Sequence, residues 1–125
     1  EYLFELKPVK VLNRYRKEGL IRQNYIVSTF NPFQVFYIRY FTGLSRVGFL
    51  VMYRSWLWMT NYIHPDALHP SAELLDPDLI KNCRDRNIKI NTWTVNNRAA
   101  IEYCLNLELN GIITDSDKPL LNEDL

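Results

Sequence analysis

The chain has 125 residues, of which 47% are hydrophobic and 23% are charged. It is long enough for one domain with a core, and its composition is that of a globular protein and not of a disordered tail. Its 15 basic and 14 acidic residues leave a formal charge of +1, so net charge makes no case for nucleic acid as a partner. Cys83 and Cys104 lack C-x-x-C spacing, so we expect two reduced, core-facing thiols and no zinc site.

The first half of the chain predicts strands and helices in alternation. In chain order, the pattern gives a strand at residues 2–6, a helix ending at Gly19, a strand at 25–28, a helix from Pro32 to about Tyr40 and a strand at 47–52. Pro8 suits the first turn of the first helix. Asn31 before Pro32 is a typical N-cap for the second.

The second half continues the alternation after an ambiguous segment at 56–63. His64-Pro65 and His69-Pro70 predict a loop, because proline interrupts regular structure. The remaining elements are a helix opening at Asp76-Pro77, a strand at 88–94, a helix capped by Asn96 and, after a turn at Asn110-Gly111, a last strand at Ile112-Ile113. About five strands in strict alternation with helices predict a parallel sheet. Periodicity alone fits a small Rossmann-like or flavodoxin-like sheet as well as part of a barrel.

Glu5 and Lys7 end the first predicted strand. Side chains two residues apart on a strand point to the same face, and burying a carboxylate and an ammonium there is costly unless each is paired. A divalent cation at Glu5 and a phosphate at Lys7 would balance the charges within one site. A mutual ion pair at an edge is the other interpretation, and it is favoured when these residues are taken alone.

Five motifs in one order, covering nearly all of the chain, resemble the glycerophosphodiester phosphodiesterase family. They are Glu5-Leu6-Lys7-Pro8, Ser28-Thr29-Phe30-Asn31-Pro32, Gly48-Phe49-Leu50, Trp93-Thr94-Val95-Asn96 and Gly111-Ile112-Ile113-Thr114-Asp115. The fourth and fifth, one helix apart, are the most specific. The resemblance implies that residues 1–125 are a single segment, the C-terminal part (about strands four to eight) of a (β/α)₈ barrel whose N-terminal half is absent.

The resemblance also implies roles for individual residues. Glu5 would be a metal ligand, with Ca²⁺ or Mg²⁺ favoured over Zn²⁺ because the site is built from carboxylates. Lys7 would contact the phosphate, and Trp93, with Phe30, would pack against the glycerol or alcohol part of the substrate. Trp93 taken alone is as readily a core residue. No catalytic residue is assigned in this chain, because the catalytic histidines are expected in the absent half.

His64, Asp66 and His69 bring two histidines and a carboxylate within six residues. Such a set is typical of metal or acid–base sites, but two prolines hold the stretch extended and no standard motif has this spacing. We therefore do not expect either histidine to contact substrate or metal.

The aromatic segment 47–63 is too short to cross a membrane and carries Arg54 at its centre. For Trp56, Leu57, Trp58 and Met59, a lid over the barrel mouth or burial against a helix is favoured over contact with a lipid surface. A long apolar groove beside Trp56 and Trp58 would instead favour a lipid-tailed substrate.

The resemblance implies metal-dependent hydrolysis of glycerophosphodiesters to glycerol 3-phosphate and an alcohol in the intact protein, with this chain alone inactive. The alternatives are a lysophospholipase D-like phosphodiesterase that acts on lipids and a non-catalytic scaffold with the same fold. Expected partners are the small-molecule diester, the missing barrel half and, transiently, a membrane surface, but not nucleic acid. A cytoplasmic location is slightly favoured over a periplasmic or secreted one.

Overall fold

The computed structural model describes residues 7–21, 25–43 and 46–115. Within them lie five helices, two 3₁₀ segments and five strands, in the order α1 (Lys7–Lys17), β1 (Val27–Thr29), α2 (Pro32–Phe41), β2 (Val47–Val51), a 3₁₀ segment (Arg54–Met59), α3 (Thr60–Ile63), β3 (Ala67–Pro70), a 3₁₀ segment (Ala72–Leu74), α4 (Pro77–Asp85), β4 (Lys89–Thr92), α5 (Arg98–Asn106) and β5 (Gly111–Ile112). No helix in these ranges is long and apolar enough to cross a bilayer.

The five strands form one parallel sheet in sequence order, β1-β2-β3-β4-β5. The parallel α/β prediction is confirmed, but the five strands are not the five that the sequence predicted. The predicted strand at 2–6 lies outside the described residues, and β3 occupies the stretch that was predicted to be a loop. That prediction was wrong because Pro70 falls at the last position of β3. There its carbonyl still accepts from the Trp93 amide at 3.1 Å.

Side-chain caps set two of the predicted helix starts. Asn31 Oδ1 accepts from the Phe33 amide at 2.9 Å directly before α2. Asp76 Oδ1 accepts from the Leu79 amide at 2.7 Å before α4. The predicted cap of α5 was off by one residue, because Asn97 and not Asn96 accepts from the Ala100 amide.

The core lies between the sheet and the helices. Val47, Phe49 and Val51 of β2 are buried together on the helix-facing side, as alternation along a strand requires. Cys83 of α4 and Cys104 of α5 are free, buried thiols in this core, as expected. Burial raises the pKa of the Cys83 thiol to about 11, so it remains protonated and serves as an apolar packing group.

Candidate active site

The opposite face of the sheet carries polar side chains and glycines. Ser28, His69 and Asn91 lie on this face, and Gly48 and Gly111 leave room between them. A Cβ at Gly48 would stand 2.7 Å from Ser28 Oγ and 2.9 Å from His69 Nε2, and one at Gly111 would stand 2.6 Å from Asn91 Oδ1. Any side chain at either glycine would therefore displace its polar neighbours. The glycines keep the centre of this face open for the side chains of the adjacent strands.

Phe30 and Trp93, the two predicted pocket residues, meet at the carboxyl edge of the sheet. Phe30 directly follows β1 and Trp93 directly follows β4, and their rings pack edge-to-face with centroids 5.7 Å apart. Three strand spacings of a flat sheet would separate these positions by about 14 Å. A sheet that curls with this face on its concave side, as a barrel wall does, brings such rings together.

Trp93 is fixed by its backbone and by its ring. Its indole Nε1 donates to the His69 carbonyl at 2.6 Å. Its own carbonyl accepts from the Ala72 amide at 2.8 Å. With Phe30 packed against it in an edge-to-face contact, the ring is held from several directions. The side chain therefore does not act as a simple core filler, since it is only partly buried and lies at the strand terminus.

His69 is bound to Trp93 through its carbonyl, and its side chain was not expected from the sequence to contact substrate or metal. It sits on β3, is 5% exposed, and places Nδ1 3.3 Å from Ser28 Oγ and Nε2 3.2 Å from Asn91 Nδ2. Burial lowers its pKa, so the ring is neutral near pH 7. Because the Asn91 amide nitrogen is a donor, Nε2 accepts from it and Nδ1–H is left to donate to Ser28. Alternation through Ala67-Leu68-His69 was the signal that could have placed this histidine on a strand.

The other two members of the His64–Asp66–His69 set face elsewhere. His64 is exposed in a left-handed conformation with φ 43°. Asp66 is bound by Arg39 and accepts the Val47 amide at 2.9 Å. Among the residues that the structure describes, no group of three His, Cys, Asp or Glu side chains is placed to hold a metal ion.

The last two family-like motifs are joined by Asn96. Its Oδ1 accepts from Thr114 Oγ1 at 3.0 Å and from the Asp115 amide at 2.9 Å. The loop after β4 is thereby tied to the segment that leaves β5. The function predicted for Asn96, capping the next helix, was wrong; it braces the edge of the sheet that carries Trp93.

The predicted site at Glu5 and Lys7 is described only in part. Glu5 lies outside the described residues. Lys7 is the first residue of α1 and not the last residue of a strand, because Pro8 favours the start of a helix. The roles assigned to Glu5 and Lys7 stay predictions.

Fold and site together are those of part of a (β/α)₈ barrel: parallel strands alternating with helices, curled, with the candidate site at their carboxyl edge. Comparison with known families is more specific. Residues 3–117 match the model of the glycerophosphoryl diester phosphodiesterase family. The chain belongs to this family.

Individual relatives agree with that assignment. The chain is 26% identical over 121 residues to a glycerophosphodiester phosphodiesterase of Caldanaerobacter subterraneus subsp. tengcongensis, covering 94% of this chain and 48% of the relative. The crystal structure of the Thermotoga maritima glycerophosphodiester phosphodiesterase is 25% identical with a TM-score of 0.63, covering 85% of this chain and 48% of that one. An Oleispira antarctica phosphodiesterase, solved with the product sn-glycerol-3-phosphate, is 16% identical with a TM-score of 0.69, covering 86% and 44%. The chain thus spans about half the length of these relatives.

Proposed function

We propose that these 125 residues supply the C-terminal half of a barrel that hydrolyses glycerophosphodiesters to glycerol 3-phosphate and an alcohol. The observation that carries this proposal is the fixed Phe30–Trp93 pair at the carboxyl edge of the sheet. A flat apolar wall at that position suits the carbon backbone of a small polyol. The product bound by the Oleispira antarctica relative is of the same chemical class.

The reaction adds one water across a phosphorus–oxygen bond. The water oxygen bonds to phosphorus, the bond to the alcohol oxygen breaks, and the alcohol leaves with a proton. The histidines that move these protons are expected in the other half of the barrel. In this half, Trp93 and Phe30 would orient the glycerol, and Lys7 would offset phosphate charge as it develops.

A divalent metal ion fits this proposal through Glu5. A carboxylate is a ligand of hard cations, so Ca²⁺ or Mg²⁺ is favoured over Zn²⁺. Such an ion, when bound, would polarise the phosphoryl oxygens. The described residues contain no group of three candidate ligands, and we expect the other acidic ligands to come from the N-terminal half of the barrel.

The test compares the isolated chain with the complete barrel, in which it is joined to the N-terminal half. We expect the complete barrel to release glycerol 3-phosphate from glycerophosphocholine and to lose this activity with chelator. The isolated chain should be inactive. Robust turnover by the isolated chain would contradict its dependence on the other half.

Substitution of Glu5 separates an enzyme from a scaffold. In the complete barrel, Glu5→Gln removes the ligand charge and should abolish both metal binding, measured by calorimetry, and hydrolysis. Glu18→Gln is the matched control, because Glu18 is an exposed residue that pairs with Arg14 on the same chain segment. Unchanged metal binding and activity in Glu5→Gln would support a non-catalytic scaffold.

A further inference from the structure

Three polar side chains form a continuous row of hydrogen bonds across the sheet, from β1 to β4. Ser28 lies on β1, His69 on β3 and Asn91 on β4. The His69 ring places Nδ1 3.3 Å from Ser28 Oγ and Nε2 3.2 Å from the Asn91 amide nitrogen. We call these three residues the polar row. Because each of its hydrogen bonds joins two strands, the row ties β1, β3 and β4 together through side chains, in addition to the backbone ladder.

Gly48 of β2 lets the row cross from β1 to β3. It pairs with Ser28 in the register of the two strands, and a Cβ at this position would stand 2.7 Å from Ser28 Oγ and 2.9 Å from His69 Nε2. At the other end of the row, a Cβ at Gly111 would stand 2.6 Å from Asn91 Oδ1. Neither glycine has a positive φ. The space that the polar row occupies, and not backbone conformation, therefore accounts for both glycines.

The two ends of the polar row lie beside the two rings of the candidate site. Ser28 is two residues before Phe30, and Asn91 is two residues before Trp93, and residues two apart on an extended chain point to the same side. The rings follow strands that are three places apart in the sheet, yet their centroids are 5.7 Å apart. The polar row joins the same two strands just before the rings. The contact between the rings therefore depends on how the row holds these strands.

His69 also binds Trp93 through its main chain. Its carbonyl accepts from Trp93 Nε1 at 2.6 Å, and this bond does not need the imidazole. The imidazole adds the two cross-strand bonds, in a position where the residue is 5% exposed. A buried polar group with all its partners in place rigidifies its surroundings. The side chain of His69 is thus suited to fixing its neighbours.

We propose that the polar row is a positioning device that holds Phe30 against Trp93, so that His69 sets the affinity for the glycerol part of the substrate without touching the substrate. The effect on the rings follows from the contacts of the row. The effect on glycerol rests on the proposed function, because it requires the rings to face the substrate. His69 is therefore a positioning residue.

Substitutions at position 69 separate the hydrogen bonds of the row from its packing. His69→Leu removes both bonds. His69→Gln is the conservative variant, because its amide nitrogen donates to Ser28 while its oxygen accepts from Asn91. Val51→Ala is the structural control. Val51 is fully buried on the opposite, helix-facing side of β2, so its truncation lowers stability without touching the row.

The first measurement follows the rings themselves in the complete barrel. Nuclear Overhauser effects between selectively labelled Phe30 and Trp93 report their contact, and Phe30→Leu and Trp93→Phe assign the signals. We expect the effect to fall severalfold in His69→Leu and to persist in His69→Gln and in Val51→Ala. An undiminished ring contact in His69→Leu would overturn the proposal whatever the activity.

The second measurement determines KM and kcat for glycerophosphocholine at a temperature where every variant is folded. A group that binds substrate and transition state equally affects KM and not kcat. We expect His69→Leu to raise KM by about 2- to 10-fold, the factor that corresponds to one aromatic contact, with kcat unchanged. His69→Gln should restore KM. Val51→Ala should lower Tm and leave KM as it is.

Two kinetic results would also overturn the proposal. One is a fall in kcat with KM unchanged in His69→Leu, which would place His69 in the chemical step. The other is an equal rise in KM in Val51→Ala, which would indicate a general loosening of the fold. If even the unsubstituted barrel hydrolyses no diester, the proposed function fails, and the ring contact alone decides. Contact that is lost in His69→Leu and kept in His69→Gln would support the polar row, and contact kept in both would refute it.

Discussion

His69 makes the concave face of the sheet dependent on pH. In the folded chain its ring accepts from Asn91 and is buried, and burial lowers its pKa. In the unfolded chain its pKa returns to about 6.5. As the pH falls below that value, the unfolded state takes up a proton before the folded state does, so the free energy of unfolding decreases.

We predict that this loss stays below about 1.4 kcal/mol per pH unit, the limit for a single proton, and that His69→Gln removes it. Urea unfolding of the complete barrel at a series of pH values below neutrality measures the slope. His64→Gln is the control, because it replaces the exposed histidine outside the sheet. If His69→Gln leaves the slope unchanged, the ring does not have to be neutral in the fold.

The position of His69 on a strand was missed in the sequence analysis because its local signals point to a loop. In the sequence, His69 precedes Pro70 and follows the His64-Pro65 pair, and prolines this close together indicate a loop. What places it on β3 is pairing with β2 and β4, which depends on residues about twenty positions away on either side. The resemblance to a family, by contrast, identified Phe30 and Trp93 from local motifs, and the structure brings the two rings together.

Among the elements, those with a strong local signal were predicted closely. Asn31-Pro32 and Asp76-Pro77 each place a capping side chain before a proline, and α2 and α4 begin there. The start of α5 was ambiguous because Asn96 and Asn97 are both capping residues. Asn97 caps the helix, since the Asn96 side chain is bound to the segment after β5. Where two neighbouring residues are equally good N-caps in the sequence, tertiary contacts decide which of them caps the helix.

Asp76 links α4 to the 3₁₀ segment that begins at Arg54. Its Oδ1 caps α4 and its Oδ2 binds Arg54. These contacts, first the Leu79 amide and then Arg54, lower the pKa of the carboxyl group. Asp76→Ala should therefore cost about 1 kcal/mol of stability for the cap alone and should also release the 3₁₀ segment that begins at Arg54.

Asp76→Asn is the informative comparison. Asparagine caps a helix about as well as aspartate, so this variant should keep α4 while weakening the bond to Arg54. In urea unfolding we expect Asp76→Asn to lie much closer to the unsubstituted protein than Asp76→Ala does. Equal destabilisation by both substitutions would mean that the ionic contact, and not the cap, dominates.

The described sheet does not close into a barrel. Among its strands, β1 pairs only with β2 and β5 only with β4. Unpaired strand edges recruit other strands, and barrels avoid this by closing on themselves. Relatives about twice as long supply the additional length that a closed barrel of roughly 250 residues requires.

We predict that the isolated 125-residue chain self-associates in a concentration-dependent manner, because among the described residues no further strand pairs with β1 or with β5. Light scattering during size-exclusion chromatography measures this directly. Adding the N-terminal half of the barrel as a separate polypeptide should convert the assemblies into a one-to-one complex and restore phosphodiesterase activity. Two copies of this chain that form a stable, closed dimer and exclude the N-terminal half would contradict the half-barrel arrangement. Every role assigned to Phe30 and Trp93 depends on that arrangement, since a different partner would face their rings.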